Sequence, residues 1–369
     1  MIQFVPAVPI RKRPASADAE PSFRSAAQTV AQDWGQLQAY LLAQGCTLRL
    51  EPPPCQFAGG LGNLNYLIEV DGNLCVLRRP PLGSIPPGAN DMAREFRVLQ
   101  RLWRRFAYAP CGRLYCADPA VLGAHFLIME YRPGLVIGGQ LPPELDAQAV
   151  GEPIAAALVR VLAELHAIDP GEVGLGDFGK PQGFLERTIA GWAKRALLAT
   201  GDRPRPVVTE LVDWLHRQRV PDRSPTLLHS DFKLDNVVWD SETLKPRAVL
   251  DWDMATRGDP LLDLATLLSY WAEAGDPPAM HELRQMPTAQ DGFPSRRAVV
   301  AAYAARTGRD VSNFLFYRVL AMFKLGIAFL QLSARYRAGT TRDERFAEFE
   351  SVADGILDFT QEIARGRAN

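Results

Sequence analysis

Two alternating runs, Tyr66-Leu67-Ile68-Glu69-Val70 and Leu74-Cys75-Val76-Leu77-Arg78, meet at Asp71-Gly72. No other feature of the chain limits its fold so much. An Asp-Gly pair tolerates the two positive-φ positions of a tight hairpin, so the runs predict an antiparallel strand pair. Just upstream, Phe57-Ala58 leads into Gly59-Gly60-Leu61-Gly62-Asn63, which reads as a loop between strands. Strand, glycine loop, strand, tight turn, strand is how a small antiparallel sheet folds a loop over a nucleotide. Gly59, Gly60, Gly62 and Asn63 would then let backbone N–H groups approach phosphates. A G-x-G-x-x-G run starting at Gly60 is incomplete, because Asn65 stands at its third glycine.

Around this sheet the periodicity is helical. Trp34, Leu37, Tyr40 and Leu41 predict a helix that stops at Gly45. A second runs from about 91 to 106, with Glu95, Val98, Leu99 and Leu102 on its inner face. Phe126-Leu127-Ile128-Met129 is a short apolar strand, and Glu130-Tyr131-Arg132-Pro133-Gly134 reads as a connector. Beyond it, helices are expected at about 152–168, 183–199, 260–273, 295–307, 312–337 and 343–365. The expected organisation is a tail at 1–22, an N-lobe at 23–132 and a helical C-lobe at 133–369. The tail is rich in Pro and Ala and has no period.

The chemistry concentrates in His229-Ser230-Asp231-Phe232-Lys233-Leu234-Asp235-Asn236, followed by Asp251-Trp252-Asp253. Phosphoryl transfer needs a carboxylate at the acceptor hydroxyl, a cation on the moving phosphate and oxygen ligands for Mg²⁺. Asp231 is the candidate base or hydroxyl-positioning residue, and Lys233 the candidate cation. Asn236 and Asp251 are the candidate Mg²⁺ ligands, an amide and a carboxylate suiting a hard cation. Taken singly, each has a plain structural reading: a loop Asp capping its own turn, a solvated Lys, a turn Asn. Val237-Val238-Trp239 and Ala248-Val249-Leu250 flank a polar turn, which predicts a hairpin bringing Asn236 and Asp251 together. His229 has no obvious proton to move and reads as a buried residue holding the loop.

Arg78 is the candidate phosphate-pairing cation, with Arg79 on the opposite strand face as its rival. Glu95 is the expected partner of that arginine. Met129 and Tyr131 are placed to flank an adenine, by position only. Asp259 before Pro260 reads as a helix N-cap with Pro at the first helical position. Trp192, Trp252 and Trp271 read as core residues.

Composition excludes several alternatives. Over 369 residues the formal net charge is −1, so no basic field argues for nucleic acid. The chain has five cysteines and no C-x-x-C, which points to reduced thiols and a cytoplasmic setting rather than disulfides or zinc. No apolar run reaches membrane-spanning length, and no signal-peptide apolar region opens the chain. Oligomeric state cannot be read from these residues.

The chain resembles the aminoglycoside phosphotransferase-like family, which includes choline, homoserine and fructosamine kinases. It is most similar to the branch of kinase-like domains fused to acyl-CoA dehydrogenases in some animal proteins. The segments that carry the likeness are Gly59–Leu67, Val76–Pro81, Arg94-Glu95, Leu165–Asp169, His229-Ser230-Asp231 with Asn236, and Leu250-Asp251-Trp252. The resemblance implies an α+β, protein-kinase-like bilobal fold with ATP between the lobes. It also implies Asp231 as the catalytic residue and Asn236 and Asp251 on Mg²⁺. Ser230 stands where the family usually has Gly, and Gly62 where it often has Ser. The expected activity is phosphoryl transfer from ATP to a small hydroxylated acceptor, an amine being the second choice. Two alternatives remain open: a nucleotide-binding pseudokinase, and a metal-dependent hydrolase using His229, Asp231, Asp251 and Asp253.

Overall fold

The computed structural model describes residues 21–59, 62–83, 90–201, 203–221, 223–339 and 344–368. Gly60 and residues 1–20 of the expected tail lie outside them. The chain forms two compact units. The first comprises residues 1–136, 173–175 and 236–255, and the second comprises 137–172, 176–235 and 256–369.

In the first unit an antiparallel sheet has the order Leu48–Arg49, Leu64–Val70, Asn73–Arg79, Phe126–Glu130, Gly112–Cys116. Cys55–Gln56 pairs with Leu67 and Tyr66 in the middle of Leu64–Val70. Asp71 and Gly72 both take positive φ (49° and 72°), which is the turn their sequence predicts. Along Leu64–Val70 alternate side chains are buried, so Tyr66, Ile68 and Val70 face the core. The helix Trp34–Ala43 lays Leu37 and Leu41 into that same core. The helix Met92–Leu102 starts where the Asp91 side chain accepts the Arg94 N–H, and it buries Glu95, Val98, Leu99 and Leu102. A second, three-stranded sheet joins Leu135–Val136, Val237–Trp239 and Pro246–Val249. This pairing places 236–255 with the first unit, although the sequence reading puts it in the C-lobe. The strands of the hairpin find their third partner at Leu135–Val136, before the helical part begins. The strand Gly112–Cys116 has no counterpart in the sequence reading.

The second unit is helical. Its main helices are Ala147–His166, Phe184–Thr200, Pro206–Arg217, Pro260–Ser269, Arg296–Thr307, Phe314–Arg337 and Phe349–Ala364. Pro206–Arg217 has no counterpart in the sequence reading. Pro206 occupies the first helical turn, where a missing N–H costs nothing. Phe314–Arg337 packs on Phe349–Ala364, Pro260–Ser269 and Phe184–Thr200. It corrects one expectation: over 24 residues it is long and apolar enough to span a bilayer. Yet 67% of its most apolar window is buried among the other helices, as befits a core helix. Thr226–Leu228 and Thr256–Gly258 form a short antiparallel pair in this unit.

Candidate active site

Two clusters hold the chemistry, one in each unit. In the first unit, the hairpin carries Arg78 toward the first turn of Met92–Leu102. Arg78 Nε lies 2.8 Å from Glu95 Oε2. Its Nη2 pairs with Asp251 Oδ1 and lies 4.0 Å from Asp253 Oδ2. Glu95 Oε1 also accepts the Trp252 N–H at 3.3 Å, and Arg94 Nη1 donates to the Asp253 carbonyl at 3.0 Å. The segment Asp251-Trp252-Asp253 is thus gripped from strand and helix together. Trp252 anchors it: fully buried, its Nε1 donates to the Val249 carbonyl at 2.8 Å. Asp251 itself has φ 69°, a left-handed conformation that costs a non-glycine residue about 1–2 kcal/mol. At the hairpin base, Leu250 N–H donates to the Asn236 carbonyl at 2.8 Å, which fixes Asn236 beside this segment.

The electrostatics here are unbalanced. One guanidinium faces three carboxylates. Burial opposes the Arg78 charge, but Asp251, Glu95 and Asp253 outweigh it and hold its pKa above the ordinary value. Burial pushes the Glu95 carboxyl up against the pull of Arg78. Asp253 is pushed up too, first by burial and then by the charge of Asp251. Arg79, the rival cation, is spent on structure: its Nη1 donates to Gln32 Oε1 at 2.6 Å and to the Leu122 carbonyl at 2.5 Å.

In the second unit, Asp259 caps Pro260–Ser269, accepting the Leu261 N–H at 3.0 Å, so Asp263 falls in the first turn. The Asp263 carboxylate is buried and accepts two backbone N–H groups of the motif loop, His229 at 2.6 Å and Ser230 at 2.8 Å. His166 Nε2 lies 3.4 Å from the same carboxylate, and its Nδ1 meets the Tyr303 hydroxyl at 2.7 Å. Burial works against the Asp263 charge. The hydrogen bond and charge of His166, with His229, more than offset it, and the pKa is lowered. His229 is fully buried, and its Nδ1 accepts the Asp231 N–H at 3.3 Å, so the ring braces the loop as the sequence suggested.

This frame presents Asp231. The Tyr270 hydroxyl donates to Asp231 Oδ1 at 3.1 Å, and Lys233 Nζ lies 3.4 Å from Oδ2. Lys233 Nζ is also 3.7 Å from Asp235 Oδ2 and 5.0 Å from the centre of the Tyr270 ring. Burial, and then the Asp231 charge, raise the Tyr270 pKa, so the phenol stays a donor.

Residues 55–299 match the sequence profile of the phosphotransferase enzyme family. The chain belongs to that family. Among its relatives, mouse acyl-CoA dehydrogenase family member 10 is 30% identical over 346 residues, 92% of this chain and 32% of the relative. Rat acyl-CoA dehydrogenase family member 11 is 31% identical over 302 residues, 78% of this chain and 37% of the relative. The chain therefore spans about a third of the length of these relatives. A candidate aminoglycoside phosphotransferase from Ralstonia eutropha superposes with a TM-score of 0.73 at 26% identity, covering 91% of this chain and 99% of that one. An aminoglycoside phosphotransferase in ternary complex with AMP-PNP and hygromycin B gives 0.54 at 19% identity, covering 88% and 98%. That second likeness speaks for the fold alone. Together they show the α+β, protein-kinase-like fold that the resemblance implied.

In this chain, Arg78, Glu95, Asn236 and Asp251 come together in the first unit, and Asp231 and Lys233 in the second. Gly62 and Asn63 are tied by Asn90, whose Nδ2 donates to the Gly62 carbonyl at 2.7 Å and Asn63 Oδ1 at 2.8 Å. Gly59 ends the described part of the loop. Met129 is buried in its strand opposite Val76, and half-buried Tyr131 sits 6.1 Å from the Phe57 ring. Trp252 and Trp271 are fully buried, as expected, but Trp192 is not a core residue. It is half-buried, with the Arg195 guanidinium 4.8 Å from its ring.

Sequence reasoning missed Tyr270 and Asn90, and gave Asp263 a structural role at the helix start without its loop partners. Asp263 reads as a helix-start acid, and only its two loop partners reveal its work. Tyr270 carries no sequence signal, since it meets Asp231 through tertiary packing.

Ser230 has φ 70°, which explains why a glycine suits this position in the family. Ser230→Gly is expected to raise unfolding stability by about 0.5–1 kcal/mol by relieving that strain. Thermal unfolding checks this. A loss of stability would instead assign the serine side chain a role of its own.

Proposed function

We propose that the chain is an ATP- and Mg²⁺-dependent phosphotransferase acting on a small hydroxylated acceptor. The observation that carries this reading is the fixed Asp231 carboxylate: one oxygen held by Tyr270, the other beside Lys233, on a loop pinned by Asp263. The acceptor hydroxyl oxygen forms a bond to the γ-phosphorus of ATP, and the bond from that phosphorus to the bridging oxygen breaks. ADP leaves with the bonding pair, and the hydroxyl proton passes to Asp231. In a loose transition state the proton moves late, so Asp231 first orients the hydroxyl. Lys233 stands beside Asp231 to offset charge on the moving phosphoryl group.

The residues present suit the two absent partners. Around Arg78 the three carboxylates leave an excess of negative charge that a divalent cation would balance. Asn236 and Asp251 would hold Mg²⁺, which neutralises phosphate charge when bound. Gly59 and Gly62 lack positive φ, and a Cβ at either would meet no backbone of the protein. Neither glycine is demanded by the fold, which supports a loop kept bare for phosphates. The hydrolase reading fares worse, because His229 is turned into the loop that it braces. A protein of the same fold holds AMP-PNP together with hygromycin B, so the fold itself can take a nucleotide and a second small molecule at once.

A thermal shift series tests the proposal. ATP with Mg²⁺ at about a hundred times its dissociation constant is expected to stabilise the wild type by about 2.7 kcal/mol. Asp251→Ala should lose most of that shift. No shift in the wild type would refute the reading.

A further inference from the structure

Beside the motif loop, in the second unit, lies a cavity of about 300 Å³. Lys180, Arg187 and Arg195 line it with Phe184, Trp192 and Thr256. No carboxylate lines it. Its place is set by strand pairing: Thr256 is the register partner of Leu228, the residue just before His229. The cavity therefore borders the loop that carries Asp231.

Its charge is one-signed. Among the described residues, none of the three lining cations forms an ion pair with a carboxylate, whereas Arg205, Arg247 and Arg296 of this chain all do. Arg187 is held in place by donating to the carbonyls of Lys180 and Gln182, both in the turn that precedes its helix. Arg195 lies against Trp192, and on the same ring Lys324 Nζ stands 5.9 Å from the ring centre. Burial lowers the Lys324 pKa, while the charges of Asp263 and Asp231 favour its ammonium form. Lys324 thus feels both Trp192 at the cavity and the carboxylate at the reaction centre.

We propose that this cavity receives an anionic group of the acceptor, a carboxylate or a phosphate, while the acceptor hydroxyl lies at Asp231. The inference rests on the phosphotransferase reading and adds the acceptor's class. Guanidinium groups offer paired N–H donors matched to carboxylate or phosphate oxygens. The rings of Phe184 and Trp192 would cover the apolar stretch that joins anion and hydroxyl. A polycationic acceptor would meet three like charges, which works against it.

Two measurements test this. In the first, ATP-dependent ADP release is compared between straight-chain hydroxycarboxylates, with the hydroxyl at each position, and their neutral amides. Hydroxyl-bearing phosphate esters form a second anionic arm, and an aminoglycoside the cationic one. Preference for acids or phosphate esters over amides by about tenfold or more in kcat/KM is expected, and the better arm names the anion. Equal use of the amides, or preference for the aminoglycoside, would overturn the proposal. The second is free of turnover: calorimetric binding of inorganic phosphate and of the same hydroxycarboxylates, to the wild type and to Arg195→Gln with Lys180→Gln. Affinity is expected to fall about tenfold in the variant, while its ATP–Mg²⁺ thermal shift stays as in the wild type. Unchanged anion affinity would overturn the cavity assignment. Failure of ATP to bind the wild type would overturn the phosphotransferase reading instead, and the anion titration would still decide the cavity. Arg187 is left alone because it also holds the turn.

Discussion

Asp231→Asn is expected to lower turnover by about 10²–10⁴-fold, the range that a positioned proton acceptor contributes. Asparagine keeps an oxygen for the Tyr270 hydroxyl, so the loop should hold its shape. It loses the charge that sits beside Lys233 and the ability to take the acceptor proton. Nucleotide affinity should be nearly unchanged, because the cation-binding and phosphate-binding groups named above are other residues. Steady-state kcat, with nucleotide affinity from the thermal shift, separates the two effects. Turnover within about threefold of wild type would remove Asp231 from the reaction.

Asp263→Ala is expected to cost about 3–5 kcal/mol of stability, because it strips the acceptor from a buried and a part-buried N–H group at once. Each unpaired donor carries a penalty of about 1–3 kcal/mol, and His166 loses its neighbour as well. Turnover should fall with it, since the loop that carries Asp231 loses its anchor. Denaturant unfolding at neutral pH measures the loss. The pH dependence has a definite sign. A carboxyl whose folded pKa is lowered stabilises above its unfolded pKa of about 4, and that stability fades as pH falls through the folded pKa. The gap between wild type and Asp263→Ala should therefore narrow in acid and stay widest near neutrality. A constant gap from neutral to strongly acidic pH would mean that Asp263 acts through packing rather than charge.

Particular residues show how far the chain could be read in advance. The Asp71-Gly72 hairpin, the Met92–Leu102 helix and the Arg78–Glu95 pair follow from local rules: turn chemistry, an N-cap and strand register. Which arginine meets Glu95 was open until Arg79 proved to be engaged by Gln32 and the Leu122 carbonyl. Pro206–Arg217 went unread because a proline that ends one helix can start another. Trp192 was misassigned because a large aromatic is most often buried, and its two cationic neighbours arrive from its own helix and from a distant one.

The order of residues alone singled out the set proposed for phosphoryl transfer, because its carboxylates, lysine and amide lie close together along the chain. It also determined the alternation of strands and helices, because periodicity is a local property. Tertiary structure decided what holds and surrounds that set. Asp263 reaches back from a later helix to pin the loop, Tyr270 orients Asp231, and Thr256, paired with Leu228, brings the cavity of the Phe184–Thr200 helix beside the motif loop. Contacts between residues far apart in the chain leave no local pattern, so they became visible only when the chain was folded.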